Sequence, residues 1–357
     1  MFQIHVINIV RNLGFFVVAF SLAFALAPIL IHYLYKYKAW KKKPKEQGLT
    51  GDIPVFKKFH SLKEISTPRM GGILIWGTVL LVAIGGSVGS MMFSGQWASH
   101  LNFLSRRETW LPLFTLVSAS LLGLVDDILV IRSGGAYVGG GIRLRVRLAI
   151  IAAIALAGAW WFYFKLEWHS LYVPFYGNIE IDGLYILLFV LVTIATFSSS
   201  IVDGLDGLSA GVLIPIFGAY GIIAYATQRY DLASFIVVLI GALLAYLWFN
   251  VHPAKFYMGD TGILGLTVTL AVIAFLTNSV LLLPIIGLVL VIESASDIVQ
   301  VFSKKVFGKK ILQAAPIHHH FQALGWPESQ ITMRFWIVSW VASALGVMLF
   351  FLSRFLT

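Results

Sequence analysis

Residues 12–34 read NLGFFVVAFSLAFALAPILIHYL, 23 in succession without an Asp, Glu, Lys or Arg. About 20 apolar residues cross the hydrocarbon core of a bilayer, so a run of this length reads as a membrane helix. Ala25-Leu26-Ala27 imitates a signal-peptide cleavage site and Arg11 a weak basic lead. The run nevertheless exceeds the roughly 7–15 residues of a signal h-region, and a basic segment follows it, so it is expected to stay as a spanning helix. The same pattern recurs at 71–93, 109–131, 146–166, 184–202, 208–227, 233–249, 262–278, 280–302 and 332–353. The eighth and ninth runs are divided only by Thr277-Asn278-Ser279.

This predicts an all-α polytopic membrane protein of about ten spans, a single integral domain over residues 1–357. Composition agrees, with 59% hydrophobic and 12% charged residues against about a quarter charged in soluble chains. The absence of Cys excludes disulfides, thiolate metal sites and cysteine nucleophiles. A net charge of +10 could suggest nucleic acid, but the basic residues occupy short loops, so no nucleic-acid partner is expected. Of the 26 Lys and Arg, 19 fall in the loops after odd-numbered runs. By the positive-inside rule those loops are cytoplasmic and both termini lie outside. One outer loop, 167–183, has the composition of a small hairpin about Gly177-Asn178.

The acidic residues are few, 16 in all, and their placement is informative. Asp126 and Asp127 end the third run (LLGLVDD). Asp203 and Asp206 lie in SSSIVDGLDGLSAG, and Asp260 lies in NVHPAKFYMGDTG. In the topology above all five face the cytoplasm at the membrane edge, where ionisable groups are costly and usually functional. Alone, Asp260 could be a helix N-cap and the DGLDG pair an ordinary turn. Together, adjacent like charges beside hydrocarbon call for a cation or basic group, and a hard divalent ion takes carboxylate oxygens while leaving positions for phosphate. Glu293 and Asp297, four apart within the ninth run, read as a polar stripe packed inside the bundle; a transporter would place its working carboxylates there.

His318, His319 and His320 are consecutive in APIHHHF. Successive helical residues diverge by about 100°, which argues against one shared zinc and for phosphate or nucleotide contact by one or two of them. Lys41-Lys42-Lys43 reads as an orientation anchor. Lys63 and Arg69 are placed to reach the carboxylates. Arg143, Arg145 and Arg147 divide between anchoring and binding a lipid phosphate.

TPRMGG (67–72), VDD, DGLDGLSAG, NVHPAKFYMGDTG, APIHHHF, GWPE and RFWI (334–337) follow one another with the order and spacing of a known family. The chain thus resembles the phospho-N-acetylmuramoyl-pentapeptide transferases of the polyprenyl-phosphate N-acetylhexosamine-1-phosphate transferase superfamily. The resemblance implies a bacterial inner-membrane enzyme with a cytoplasmic site. It implies Mg²⁺ as cofactor, UDP-MurNAc-pentapeptide as donor and undecaprenyl phosphate as acceptor, with lipid I and UMP as products. Asp260 would be the Mg²⁺ ligand, and Asp126 the base or acceptor-phosphate group, supported by Asp127. Asp203 and Asp206 would line the donor site with Asn250 nearby, and Tyr257 would stack on uracil. His318 and His319 would contact the donor beside His320, and Lys63 would meet a phosphate. Membrane lipid is a further expected partner, and a homodimer is an open expectation. Val130, Gly140, Ser200 and Arg69 depart from residues common in the family.

Overall fold

The computed structural model describes residues 2–42, 47–48, 51–52, 65–93, 98–105, 108–132 and 141–356. Lys63 and Gly140 lie outside the described residues. The long helices are α1 (Phe2–Lys36), α2 (Gly72–Met92), α3 (Trp110–Arg132), α4 (Leu144–Trp160, ending in a π turn through Lys165) and α5 (Leu184–Ser198). They continue with α6 (Leu208–Ala226), α7 (Tyr230–Asn250), α8 (Asp260–Leu276), α9 (Leu288–Phe307) and α10 (Glu328–Leu356). Two short antiparallel pairs accompany them: β1 (Gln47–Gly48) with β2 (Gly51–Asp52), and β3 (Ser170–Val173) with β4 (Gly177–Glu180).

Among the described residues, eight helices are long and apolar enough to cross a membrane. The chain is therefore a multi-pass membrane protein. Of the two least regular expected spans, the eighth keeps its expected 17 residues and starts two residues earlier, as α8, a helix shorter than its neighbours. The ninth, expected to run straight over 280–302, is broken: Val280–Ile286 and α9 meet at 80°. Pro284 and Gly287 punctuate this stretch, and the polar side chains Glu293, Ser296, Gln300 and Ser303 turn one face of α9 toward protein rather than lipid.

The hairpin is present, but its turn lies at 174–176 rather than at Gly177-Asn178. Leu171 pairs with Ile179 and Val173 with Gly177. Phe175 and Gly177 take positive φ of 67° and 102°, which closes the shorter loop and puts Asn178 into the strand.

The core is built around α8. Thr261 through Leu276 are all buried, and α8 packs most extensively on α3. Small residues permit this approach, since Gly72 faces Gly262 and Gly123 lies against the Asp260 backbone; a Cβ at either contact would collide with main chain. Pairs Thr115–Thr269 and Asn12–Ser234 hydrogen-bond between helices within the apolar bundle.

Candidate active site

Three helix ends and one loop meet at the ends of α3 and α7 and the start of α8. Asp126 and Asp127 sit in the last turns of α3, adjacent in sequence and therefore pointing about 100° apart. They serve different neighbours. Asp127, fully enclosed, accepts hydrogen bonds from Arg69 Nε at 3.0 Å, Thr261 N at 3.0 Å and Thr261 Oγ1 at 2.8 Å. It thus satisfies a first-turn N–H of α8 from a neighbouring helix. Asp126 accepts Ile142 N at 2.6 Å and pairs with Arg147 Nη2 at 3.3 Å.

Arg147 donates through its other nitrogen to Asp260 Oδ2 at 2.8 Å, so one guanidinium bridges the carboxylates of α3 and α8. Asp126 and Asp260 are thus held close on the two nitrogens of one guanidinium. Two carboxylates that close need a shared proton or a positive group between them. Asp203 completes the cluster: it accepts Ser209 Oγ at 2.7 Å and Gly259 N at 3.2 Å. Burial pushes its carboxyl up to about 6. Arg69 is buried against its own charge, yet Asp127, Asp260 and Asp203 hold it protonated above its ordinary range.

Asp206, expected beside these four, points elsewhere. Its carboxylate contacts His252 Nδ1 at 2.8 Å and Ala254 N at 3.2 Å, while its backbone N–H donates to Glu328 Oε1 at 3.0 Å. Asp206, His252 and Glu328 each offer a ligand atom within 4.8 Å of the others. Such a mixed nitrogen and oxygen set suits a transition metal better than Mg²⁺. Asp126, Asp127, Asp203 and Asp260 offer the all-oxygen ligand type that a hard cation takes, but among the described residues only the Asp206 set brings three ligand atoms within 4.8 Å of one another.

Asn250 is a scaffold contact. Its Oδ1 accepts Gly207 N at 2.9 Å and its Nδ2 donates to Phe256 O at 2.8 Å, which joins the DGLDG loop to the segment carrying Tyr257. That segment pairs with the TPRMGG loop through Tyr257 N to Pro68 O and Gly71 N to Tyr257 O, both 2.8 Å. Tyr257 is half-buried, and burial raises its hydroxyl above the usual range.

The three histidines occupy one short helix, Ile317–Ala323, in which the His318 and His319 rings lie 4.2 Å apart and are both buried, while His320 is the more exposed. His318 is enclosed, with Nδ1 2.8 Å from Glu293 Oε2, and its imidazole lies directly against the Gly204 Cα. Any side chain at Gly204 would meet that ring, so APIHHHF and DGLDG are shaped to each other. His319 Nδ1 contacts Gln322 Oε1 at 2.7 Å. His320, half-buried, accepts Gln313 N at 3.2 Å on the other side. Trp336 of RFWI donates from Nε1 to Gly207 O at 3.1 Å, and Thr332 Oγ1 to Asp206 O at 3.2 Å, so α10 braces the same loop.

Arg145 is exposed and stands apart from the carboxylates. It lines an apolar cleft of about 600 Å³ between α3 and α4, together with Phe114, Ile150 and Ala157. Phe114 and Ala157 also line a second cleft of about 830 Å³ that extends to Trp160 and Lys165.

Sequence reading missed Thr261, His252, Glu328 and the pairing of Glu293 with His318. The first three stand inside motifs already singled out, as MGDTG, NVHPA and GWPE. Glu293 had been read as bundle packing, with its partner 25 residues away.

A family model described as glycosyl transferase family 4 matches residues 109–278. A protein named phospho-N-acetylmuramoyl-pentapeptide-transferase from Lacticaseibacillus paracasei is 36% identical over 337 residues, 93% of this chain and 96% of its own. Proteins of the same name from Anoxybacillus flavithermus (33% identical; 92% and 94% covered) and Borrelia garinii (34%; 92% and 92%) match as extensively.

Proposed function

This chain belongs to the family of phospho-N-acetylmuramoyl-pentapeptide transferases, and from that premise we propose that it moves phospho-MurNAc-pentapeptide from UDP-MurNAc-pentapeptide to undecaprenyl phosphate, giving lipid I and UMP. The observation that carries this reading is the single Arg147 guanidinium set between Asp126 and Asp260, with Asp127–Arg69 and Asp203 beside it. Two phosphate-bearing substrates bring negative charge together, and such a transfer is served by positioned cations and by acids that hold them.

In this reading an oxygen of the lipid phosphate attacks the donor's β-phosphorus, and the bond to the α-phosphate oxygen breaks as UMP leaves. Arg147 and Arg69 orient phosphate oxygens. Asp126 keeps Arg147 in place and accepts any proton left on the acceptor phosphate. Asp260, with its neighbouring carboxylates, would hold Mg²⁺, which would supply charge neutralisation at the pyrophosphate oxygens. His318 and His319 contact the donor, with Glu293 fixing the His318 ring; His320 and Arg145 have outer positions. Tyr257 receives the uracil ring beside Asp206. The polyprenyl tail lies along the α3–α4 cleft, with Arg145 at its phosphate end. The site faces the cytoplasm of a bacterial inner membrane, and both termini lie outside.

UMP release on mixing the purified protein with Mg²⁺, undecaprenyl phosphate and UDP-MurNAc-pentapeptide tests the proposal. Turnover with UDP-GlcNAc and none with the muramoyl donor would overturn the substrate assignment. A radiolabelled sugar-phosphate adduct that survived denaturation would overturn direct attack.

A further inference from the structure

The NVHPA and GWPE motifs each supply one side chain that the phosphoryl transfer above does not use. His252 and Glu328 meet at Asp206, where the DGLDG loop turns its second carboxylate away from Asp203. One nitrogen there faces two carboxylates: His252 Nδ1 lies 2.8 Å from Asp206 Oδ2 and 3.9 Å from Glu328 Oε2. An imidazole nitrogen carries one proton or one lone pair, so it can donate to one of them only. A cation seated among the three meets all of them. Their ligand atoms lie within 4.8 Å of one another. Ligand atoms about 2.0–2.2 Å from a tetrahedral ion sit about 3.3–3.6 Å apart, and the two distances above bracket that spacing.

Contacts from outside the set hold these groups in place. Ala254 N donates to Asp206 Oδ2 at 3.2 Å. Glu328 uses Oε1 to accept Asp206 N at 3.0 Å, which turns Oε2 toward the imidazole. Thr332 Oγ1, one turn further along α10, donates to Asp206 O at 3.2 Å. Outer contacts of this kind orient the ligands of metal centres. The Asp206 and Glu328 side chains are 3% and 13% exposed, whereas His252 is 42% exposed. The carboxylates are therefore shielded and the imidazole stands at the mouth, which gives an ion a way in and leaves a position for water.

We propose that Asp206, His252 and Glu328 form a second cation site, for a first-row transition ion such as Zn²⁺, separate from the Mg²⁺ position proposed at Asp260. One imidazole and two carboxylates with an open fourth position suit Zn²⁺, whereas Mg²⁺ takes oxygen ligands in octahedral geometry. The ligands come from segments 46 and 122 residues apart, so the ion ties the end of α7 and the start of α10 to the DGLDG loop. The inference does not depend on which nucleotide sugar is the donor.

Full-length protein stripped with chelator and kept in excess Mg²⁺ should take up one Zn²⁺ per chain in equilibrium dialysis. Its melting temperature should rise as Zn²⁺ is added, because an ion that binds only the folded chain stabilises it. His252→Ala and Glu328→Gln should each weaken Zn²⁺ binding by more than about a hundredfold, beyond the cost of losing an outer contact. Glu328→Gln retains an oxygen for Asp206 N, so it carries the test if His252→Ala folds poorly. Asp260→Asn should bind Zn²⁺ as wild type does. Absence of Zn²⁺ uptake in Mg²⁺, or uptake that both variants retain, would overturn the site. Loss of uptake in Asp260→Asn would overturn it too, by assigning the ion to the aspartate cluster.

Discussion

Replacing Arg147 by Gln removes the cation that, among the described residues, touches both Asp126 and Asp260. The contacts are 3.3 and 2.8 Å, with the Arg147 and Asp260 side chains 17% and 20% exposed. Unit charges about 4 Å apart interact by ~4 kcal/mol at an effective dielectric near 20. Desolvation offsets much of this, and breaking a buried pair costs about 3–5 kcal/mol net. Partial exposure argues for the lower end, near ~3 kcal/mol. A separate loss falls on catalysis, because a charge-assisted hydrogen bond to an acceptor phosphate contributes about 1.5–3 kcal/mol, or roughly tenfold to 150-fold in kcat/KM for the lipid substrate. The two losses respond differently to Mg²⁺. With the guanidinium gone, the carboxylates lack a counter-charge, so added Mg²⁺ should restore part of the melting temperature without restoring the lipid-substrate KM. Melting in detergent across a Mg²⁺ titration, paired with UMP release at varied lipid phosphate, separates them. An unchanged melting temperature together with an unchanged KM for the lipid would refute this account of Arg147.

Asp260→Asn should abolish turnover while leaving insertion and melting near normal; Gly259, not Asp260, is the N-cap of α8, so near-wild-type UMP release at saturating Mg²⁺ would leave Asp260 only as a first-turn partner of Arg147. His318→Ala and Glu293→Gln should each lower donor kcat/KM by at least about tenfold, the worth of one good hydrogen bond to a charged group. His320→Ala should act weakly, and equal effects for His318 and His320 would contradict their divergent geometry. Asp203 sets a pH limb: burial lifts its carboxyl to about 6, so it is ionised at neutral pH and takes a proton as pH falls through that value. Because the folded-state value lies above the unfolded one, protonation favours the fold from pH 6 downward, yet it weakens acceptance from Ser209 and Gly259. Donor affinity should therefore drop below about pH 6 while melting does not, and Asp203→Asn should flatten that limb; parallel losses of melting and affinity would contradict the assignment.

Membrane segments were legible because each needs only a long apolar run. The ninth was misread because total apolarity hides its arrangement: the recurrence of Glu293, Ser296, Gln300 and Ser303 marks an amphipathic helix, not a straight span. The hairpin was legible in composition, but its turn was set by the backbone at Phe175 and Gly177. At the site, residue types were readable from the motifs while partnerships were not. Asp127 meets Thr261 across 134 residues, and Asp206 meets His252 across 46. Adjacent acids in VDD and paired acids in DGLDG look equivalent on paper, yet helix geometry sends Asp126 and Asp127 to different arginines. Loop closure sends Asp206 away from Asp203.

The enclosure of α8 has a mechanical consequence. At 17 residues it is about 26 Å long, short of the roughly 30 Å hydrocarbon thickness that a lipid-facing helix must match. Since Thr261 through Leu276 are buried in protein, this helix experiences no hydrophobic mismatch of its own. Thicker or thinner bilayers act first on the outer helices by tilting them. Asp260 and Thr261 ride on this enclosed helix, whereas Asp126 and Asp127 ride on α3, whose Phe114, Leu121 and Val125 are exposed, so a change in membrane thickness is felt at the contact between the two helices.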